Sequence, residues 1–133
     1  FQVLVEELDL DVMMIDTHPG LNEETLLSIA VSDALAIVMR PDQQDFQGTG
    51  VTVEVARKLD VPRMVLVVNK VPDVFSEEEV KLRVEQTYRA PVAAVFPHSQ
   101  EMMVLASEGI FVLRYPNHLI SDRFRQLAAA LMA

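Results

Sequence analysis

Apolar residues along this chain fall into two alternating patterns. Four short runs, Val12–Asp16, Ala34–Met39, Met64–Asn69 and Val92–Phe96, are almost continuously apolar and rich in Val, Ile and Met. Continuous apolar character predicts strands covered on both faces, as in a parallel sheet flanked by helices. Between the runs, apolar positions recur at helical spacing. A helix is expected from Asn22, which can cap it, with Glu23 and Glu24 on its positive end and Leu26, Leu27, Ala30 and Val31 as its inward stripe. A second is expected from about Gln47 to Leu59, with Val51, Val55 and Leu59 inward and Asp60-Val61-Pro62 as its stop. A third opens on Ser76-Glu77-Glu78-Glu79, which has the form of a capping box. Its Glu77–Lys81, Glu79–Arg83 and Glu85–Arg89 spacings predict ion pairs on the solvent side, with Val80, Val84 and Tyr88 opposite. Beyond the fourth run, Ser99 to Ser107 reads as a short helix and Ile110–Arg114 as an extended segment. A final helix is expected over Ser121–Leu131, with Phe124, Leu127, Ala128 and Leu131 apolar, and Phe1–Leu8 reads as the end of a preceding helix.

This order predicts an α/β fold, a doubly wound, mostly parallel sheet with right-handed crossovers and helices on both faces. With 133 residues, positions 1–133 have the size of a single domain. Cysteine is absent, which excludes disulfides and thiolate metal sites and fits a cytoplasmic location. No apolar run approaches the roughly 18 residues of a membrane span. The N-terminus carries early acids and no basic region, unlike a signal peptide, and it lacks an initiator Met, so the chain is expected to begin inside a longer protein. The net charge is −9, with acids clustered at Glu6, Glu7, Asp9 and Asp11 and at Glu77, Glu78 and Glu79. A nucleic-acid surface is not supported, because the basic residues are scattered. His18, His98 and His118 lack metal-site spacing, and no G-x-S-x-G elbow is present. Met13, Met14, Met102 and Met103 read as core filler.

Candidate chemistry sits where strands are expected to end. In open α/β sheets ligands bind at the carboxyl edge. Asp16-Thr17-His18-Pro19-Gly20 delivers a carboxylate there, followed by a glycine that a ligand can approach closely. An ordinary polar strand cap is the alternative. Arg40-Pro41-Asp42-Gln43-Gln44-Asp45, Asn69-Lys70 and Pro97-His98-Ser99 leave the other three runs. An Asn at a strand end offers a donor and an acceptor to a purine edge, and the Lys stem can cover a ring face; a turn-forming Asn and a solvated Lys are the alternative.

Taken in order, these motifs resemble the MinD/ParA branch of P-loop ATPases over about Leu8 to Leu131. Asp16-Thr17-His18-Pro19-Gly20-Leu21 followed by Glu23 and Glu24 is similar to that family's Asp-Thr-Pro-Pro-Gly strand end. Met39-Arg40-Pro41, Val67-Val68-Asn69-Lys70 and Phe96-Pro97 match its later loops. The resemblance implies an ATP-dependent dimerising switch that binds and hydrolyses Mg-ATP and serves cell division, or chromosome or cargo positioning. It implies a homodimer with protein partners or cargo adaptors. It assigns Asp16 as the catalytic Walker B carboxylate acting on Mg2+ through water. Thr17 and Gly20 would approach the nucleotide, Gly20 through its N–H at the γ-phosphate. Asn69 would read adenine, with Lys70, Pro97 and His98 beside the base. His18 stands where the family usually has Pro. The four glycines are Gly20, Gly48, Gly50 and Gly109, and none lies in a G-x-x-x-x-G-K-[ST] context. The chain therefore reads as the C-terminal portion of such an ATPase, an incomplete P-loop NTPase-like fold that is inactive alone. The missing strand is expected to leave open edges that pair with another copy or with further chain. Two other readings are a non-enzymatic interaction module that kept the fold, lost the P-loop and binds along Arg40–Gln47, and, ranked lower, a phospho-acceptor receiver domain.

Overall fold

The computed structural model describes every residue from Phe1 to Ala133. The elements are α1 (Gln2–Glu7), α2 (Glu23–Val31), β1 (Ala34–Met39), α3 (Gln43–Lys58), β2 (Arg63–Val71), α4 (Glu77–Tyr88), β3 (Val92–Pro97), α5 (Gln100–Leu105), α6 (Phe111–Arg114) and α7 (Leu119–Met132). The three strands form one parallel sheet in the order β1-β2-β3. Central β2 is the most deeply covered: Leu66 and Val68 are fully buried. Alternate side chains leave the sheet in opposite directions. Leu66 and Val68 join Ile37, Met39, Val53, Val84 and Tyr88 in a core under α3 and α4. On the other face Val67, Ala94 and Phe96 meet Phe111 and Ile120 of α6 and α7, with Phe124 and Leu127 packed alongside. The doubly wound α/β class is as expected.

Local chemistry fixes the helix starts. Asn22 accepts the Thr25 N–H at 2.8 Å, Asp42 the Asp45 N–H at 2.9 Å and Ser99 the Met102 N–H at 3.2 Å. Ser76 accepts the Glu79 N–H at 3.4 Å. Each cap satisfies a donor that the helix itself leaves open. Arg57 of α3 donates to the Tyr88 and Arg89 carbonyls where α4 ends, with Arg89 left-handed at φ 53°.

Several expectations fail, each for a physical reason. Val12–Asp16 is not a strand: it carries no ladder, and none of its residues makes a hydrogen bond. A strand exists only through its ladder, and Val12–Asp16 pairs with none of the three strands, although the outer edge of β1 is open. The stripe of α2 is Thr25, Ser28 and Ile29, while Leu27 and Val31 are exposed. Helix α3 starts four residues before the expected Gln47, because Asp42 caps it, and it buries Thr49, Val53 and Ala56, leaving Val51 and Leu59 exposed. Apolar spacing alone could not choose between these faces. The predicted ion pairs of α4 do not form. Glu77 instead meets Arg123 of α7 at 2.7 Å, Glu85 accepts the Val92 N–H at 3.0 Å, and the Arg83 guanidinium lies 5.0 Å over the Phe46 ring. Tertiary partners outcompete exposed i, i+4 pairs, which contribute only about 0.3–0.5 kcal/mol. Ile110–Arg114 is a helical turn rather than extended, closed by the Tyr115 N–H on the Phe111 carbonyl at 2.8 Å. The final helix begins two residues before the expected Ser121, at Leu119, capped by His118.

Candidate functional site

A parallel sheet puts the carboxyl ends of its strands, Met39, Val71 and Pro97, on one edge. The last turn of β2 is irregular there. Its register with β3 shifts between Val68 and Val71, and Lys70 stands in the left-handed region at φ 54°. This bulge sets Asn69 and Lys70 out of the ladder, and the ladder resumes when the His98 N–H donates to the Val71 carbonyl at 2.9 Å. The Asn69 side-chain oxygen accepts the Lys70 N–H at 2.9 Å. That bond fixes the amide's orientation and leaves its NH2 free to donate.

Asn69, Lys70, Pro97 and His98 line one cleft of 330 Å³. Its second wall is α5, through Ser99, Met102, Met103 and Ala106, and buried Phe96 and Ile120 form its floor. One side is polar and the other apolar, the division that suits a heteroaromatic ring with hydrogen-bonding edges. The sequence reading missed the α5 wall. Met102 and Met103 are not simple filler: Met102 is half-buried, Met103 is 64% exposed, and both face the cleft. Met14, also read as filler, is 83% exposed. The signal was available, since Ser99, Met102, Met103 and Ala106 recur at i, i+3, i+4 and i+7.

The first motif stands apart from this cleft. Asp16, Thr17 and Gly20 do not line it, and Asp16 and Thr17 have no hydrogen-bond or ion-pair partner. The segment is held at its end, where the Thr25 hydroxyl donates to the His18 carbonyl at 3.4 Å and Gly20 turns at φ 93°. The Arg40 loop is closed on itself. Asp45 accepts the Arg40 backbone N–H at 2.8 Å, and the Arg40 Nε lies 3.4 Å from both Asp42 and Asp45. The Arg40 N–H, ahead of the guanidinium, holds the Asp45 carboxyl below the usual carboxylate range. No three His, Cys, Asp or Glu side chains gather in a metal-holding group, and no helix is long and apolar enough to cross a membrane.

No family model matches the chain. It is 25% identical over 123 residues to an uncharacterized ATP-binding protein of Methanocaldococcus jannaschii, a match over 92% of this chain and 46% of that protein. Among solved structures, the MinD cell division protein of Aquifex aeolicus superposes with a TM-score of 0.77 at 16% identity, over 96% of this chain and 57% of the other. The fold is MinD-like. The order of the strand-end motifs agrees with this MinD-like architecture. The chain spans about half the length of the proteins it matches. Within the MinD-like fold, the cleft of Asn69 and His98 lies at the edge where α/β sheets bind ligands.

Proposed function

We propose that the full-length protein is an ATP-dependent dimerising switch of the MinD/ParA type, a cytoplasmic homodimer that binds and hydrolyses Mg-ATP and engages protein partners or cargo adaptors. The observation that carries this reading is the convergence of Asn69, Lys70, Pro97 and His98 on one cleft at the carboxyl edge of the sheet. The similarity to an ATP-binding protein supports the choice of nucleotide.

The residues present fit the base end of ATP. A 330 Å³ cleft is of the size used by small ligands, and its apolar α5 wall offers a surface to a ring face. Asn69 would donate its free NH2 to an acceptor nitrogen of adenine, and the methylene stem of Lys70 would cover the ring. The phosphate end fits in part. Asp16 is an exposed, unpartnered carboxylate, and magnesium in such sites takes one or two carboxylates together with substrate phosphates rather than a protein cage. Bound magnesium would neutralise charge on the phosphates. The Gly20 N–H would donate to the γ-phosphate, and Thr17 would lie beside it. The phosphate cradle itself is expected outside residues 1–133, since no P-loop motif occurs within them.

The test is ATP turnover by the full-length protein. Asp16→Ala is expected to lower turnover at least about 100-fold with the fold intact, a loss typical of removing a key catalytic group. Unchanged turnover would remove Asp16 from the site. The non-enzymatic reading separates cheaply: a Lys-Gly-Gly-x-Gly-Lys-[ST] segment encoded upstream of Phe1 supports the ATPase, and its absence supports the interaction module.

A further inference from the structure

His118 occupies a position that a small hydroxyl or carboxamide usually fills. It is the N-cap of α7, and its Nδ1 accepts the Ile120 N–H at 3.0 Å. Only an unprotonated Nδ1 accepts, so the ring carries its proton on Nε2. That nitrogen lies 4.0 Å from the Glu101 Oε2 of α5. The ring meets Phe111 edge-on at 5.2 Å and Tyr115 at 6.3 Å. His118 therefore stands between the two helices that bound the cleft. Ile120, 2% exposed, is part of its floor, and Met102 and Met103, next to Glu101, are part of its wall.

We infer that His118 is a positioning residue for the nucleotide cleft: its neutral imidazole holds the first turn of α7 under the base, and protonation releases that turn and weakens nucleotide binding. This rests on the cleft being the base site. Protonation turns the acceptor into a second donor facing the Ile120 N–H, and it adds positive charge at the helix end that disfavours it. Glu101 pulls the other way, but this carboxylate is 54% exposed and 4.0 Å away, and screened pairs of that kind are weak. Glu101 stays ionised throughout. Its carboxyl is held below the usual range first by its own backbone N–H, then by the Ser99 hydroxyl, with His118 a smaller cause. Asp122, in the first turn of α7, is engaged by Arg125 at 2.7 Å, and the α6 side presents the rings of Phe111 and Tyr115. Histidine is the side chain that changes charge between about pH 5 and 8. His98 also lines the cleft and the nucleotide brings its own phosphates, so the variant's profile carries the test as well as the wild type's.

The experiment is titration of the full-length protein with Mg-ADP at pH 8.0 and pH 5.5. Wild type is expected to bind about fivefold more weakly at the lower pH, the scale of a lost helix cap. His118→Asn keeps a cap acceptor that does not titrate, and should bind like wild type at pH 8.0 and show less than about half of the wild-type pH effect. The Ile120 amide resonance should titrate in the wild type and stay fixed in the variant. Affinity that is independent of pH, or a variant with the full wild-type pH dependence, overturns the inference while leaving the site. Absence of Mg-ADP binding at pH 8.0 removes the base-site reading and the inference together.

Discussion

Lys70 holds a backbone conformation that costs an ordinary residue about 1 kcal/mol or more, at φ 54° inside a bulge. Strain of this kind persists where the surroundings require it, and it clusters at ligand sites. Lys70→Gly relieves it, and the Asn69 bond to the residue-70 N–H survives the change. The variant is expected to be more stable by up to about 1 kcal/mol, measured by urea unfolding, and to bind Mg-ADP more weakly because the stem over the base is lost. A less stable variant would show that φ 54° is not strained here. At this scale the sequence was informative about chemistry and silent about geometry. Asn69, Lys70, Pro97 and His98 were legible as strand-end residues, and they do share a cleft. That the Asn69 oxygen is tied to its neighbour's N–H, and that His118 caps a helix, depends on backbone angles that residue types do not specify.

The elements were most legible where the chain is continuously apolar and finds a ladder. The three runs that became β1, β2 and β3 lie within two residues of their expected bounds, because a continuous apolar run has few other places to go. Val12–Asp16 looked the same in sequence and has no ladder, since strand formation depends on a partner that the run itself does not encode. Helix starts were legible where a capping side chain precedes three residues of open N–H, as at Asn22 and Ser76. At α3 the operative cap is Asp42, supported by Asp45 one turn on, which also ties the helix to the Arg40 N–H. The Asp45 carboxyl has a depressed folded-state value, so its contribution is present above the ordinary aspartate value near pH 3.9 and is lost as pH falls through the folded one. Asp45→Asn should therefore lower stability at pH 7 by about 0.5 kcal/mol, with the difference from wild type shrinking below about pH 4. A difference that is constant from pH 7 to pH 3, in thermal unfolding, would contradict this assignment.

For the whole molecule, the two-sided packing around β2 is complete and the packing before β1 is not. The outer edge of β1 has no partner, Val38 in its middle is 61% exposed, and Leu27 and Val31 of α2 face outward. Open edges and exposed apolar side chains of this kind favour association. The 133-residue segment in isolation is expected to self-associate in sedimentation runs, and a monodisperse monomer would show that these surfaces are tolerated in water. The MinD-like architecture was legible because several strand-end motifs recur in order along the chain, so that their agreement is stronger than any one of them. The measurement that bears most directly on the central claim is calorimetric titration of the full-length protein with Mg-ADP, wild type against Asn69→Ala. If the cleft of Asn69, Lys70, Pro97 and His98 receives the base, the variant binds about tenfold more weakly, the scale of one lost hydrogen bond in a closed site. Equal affinity in the two proteins, with the fold of the variant intact, would place the base elsewhere.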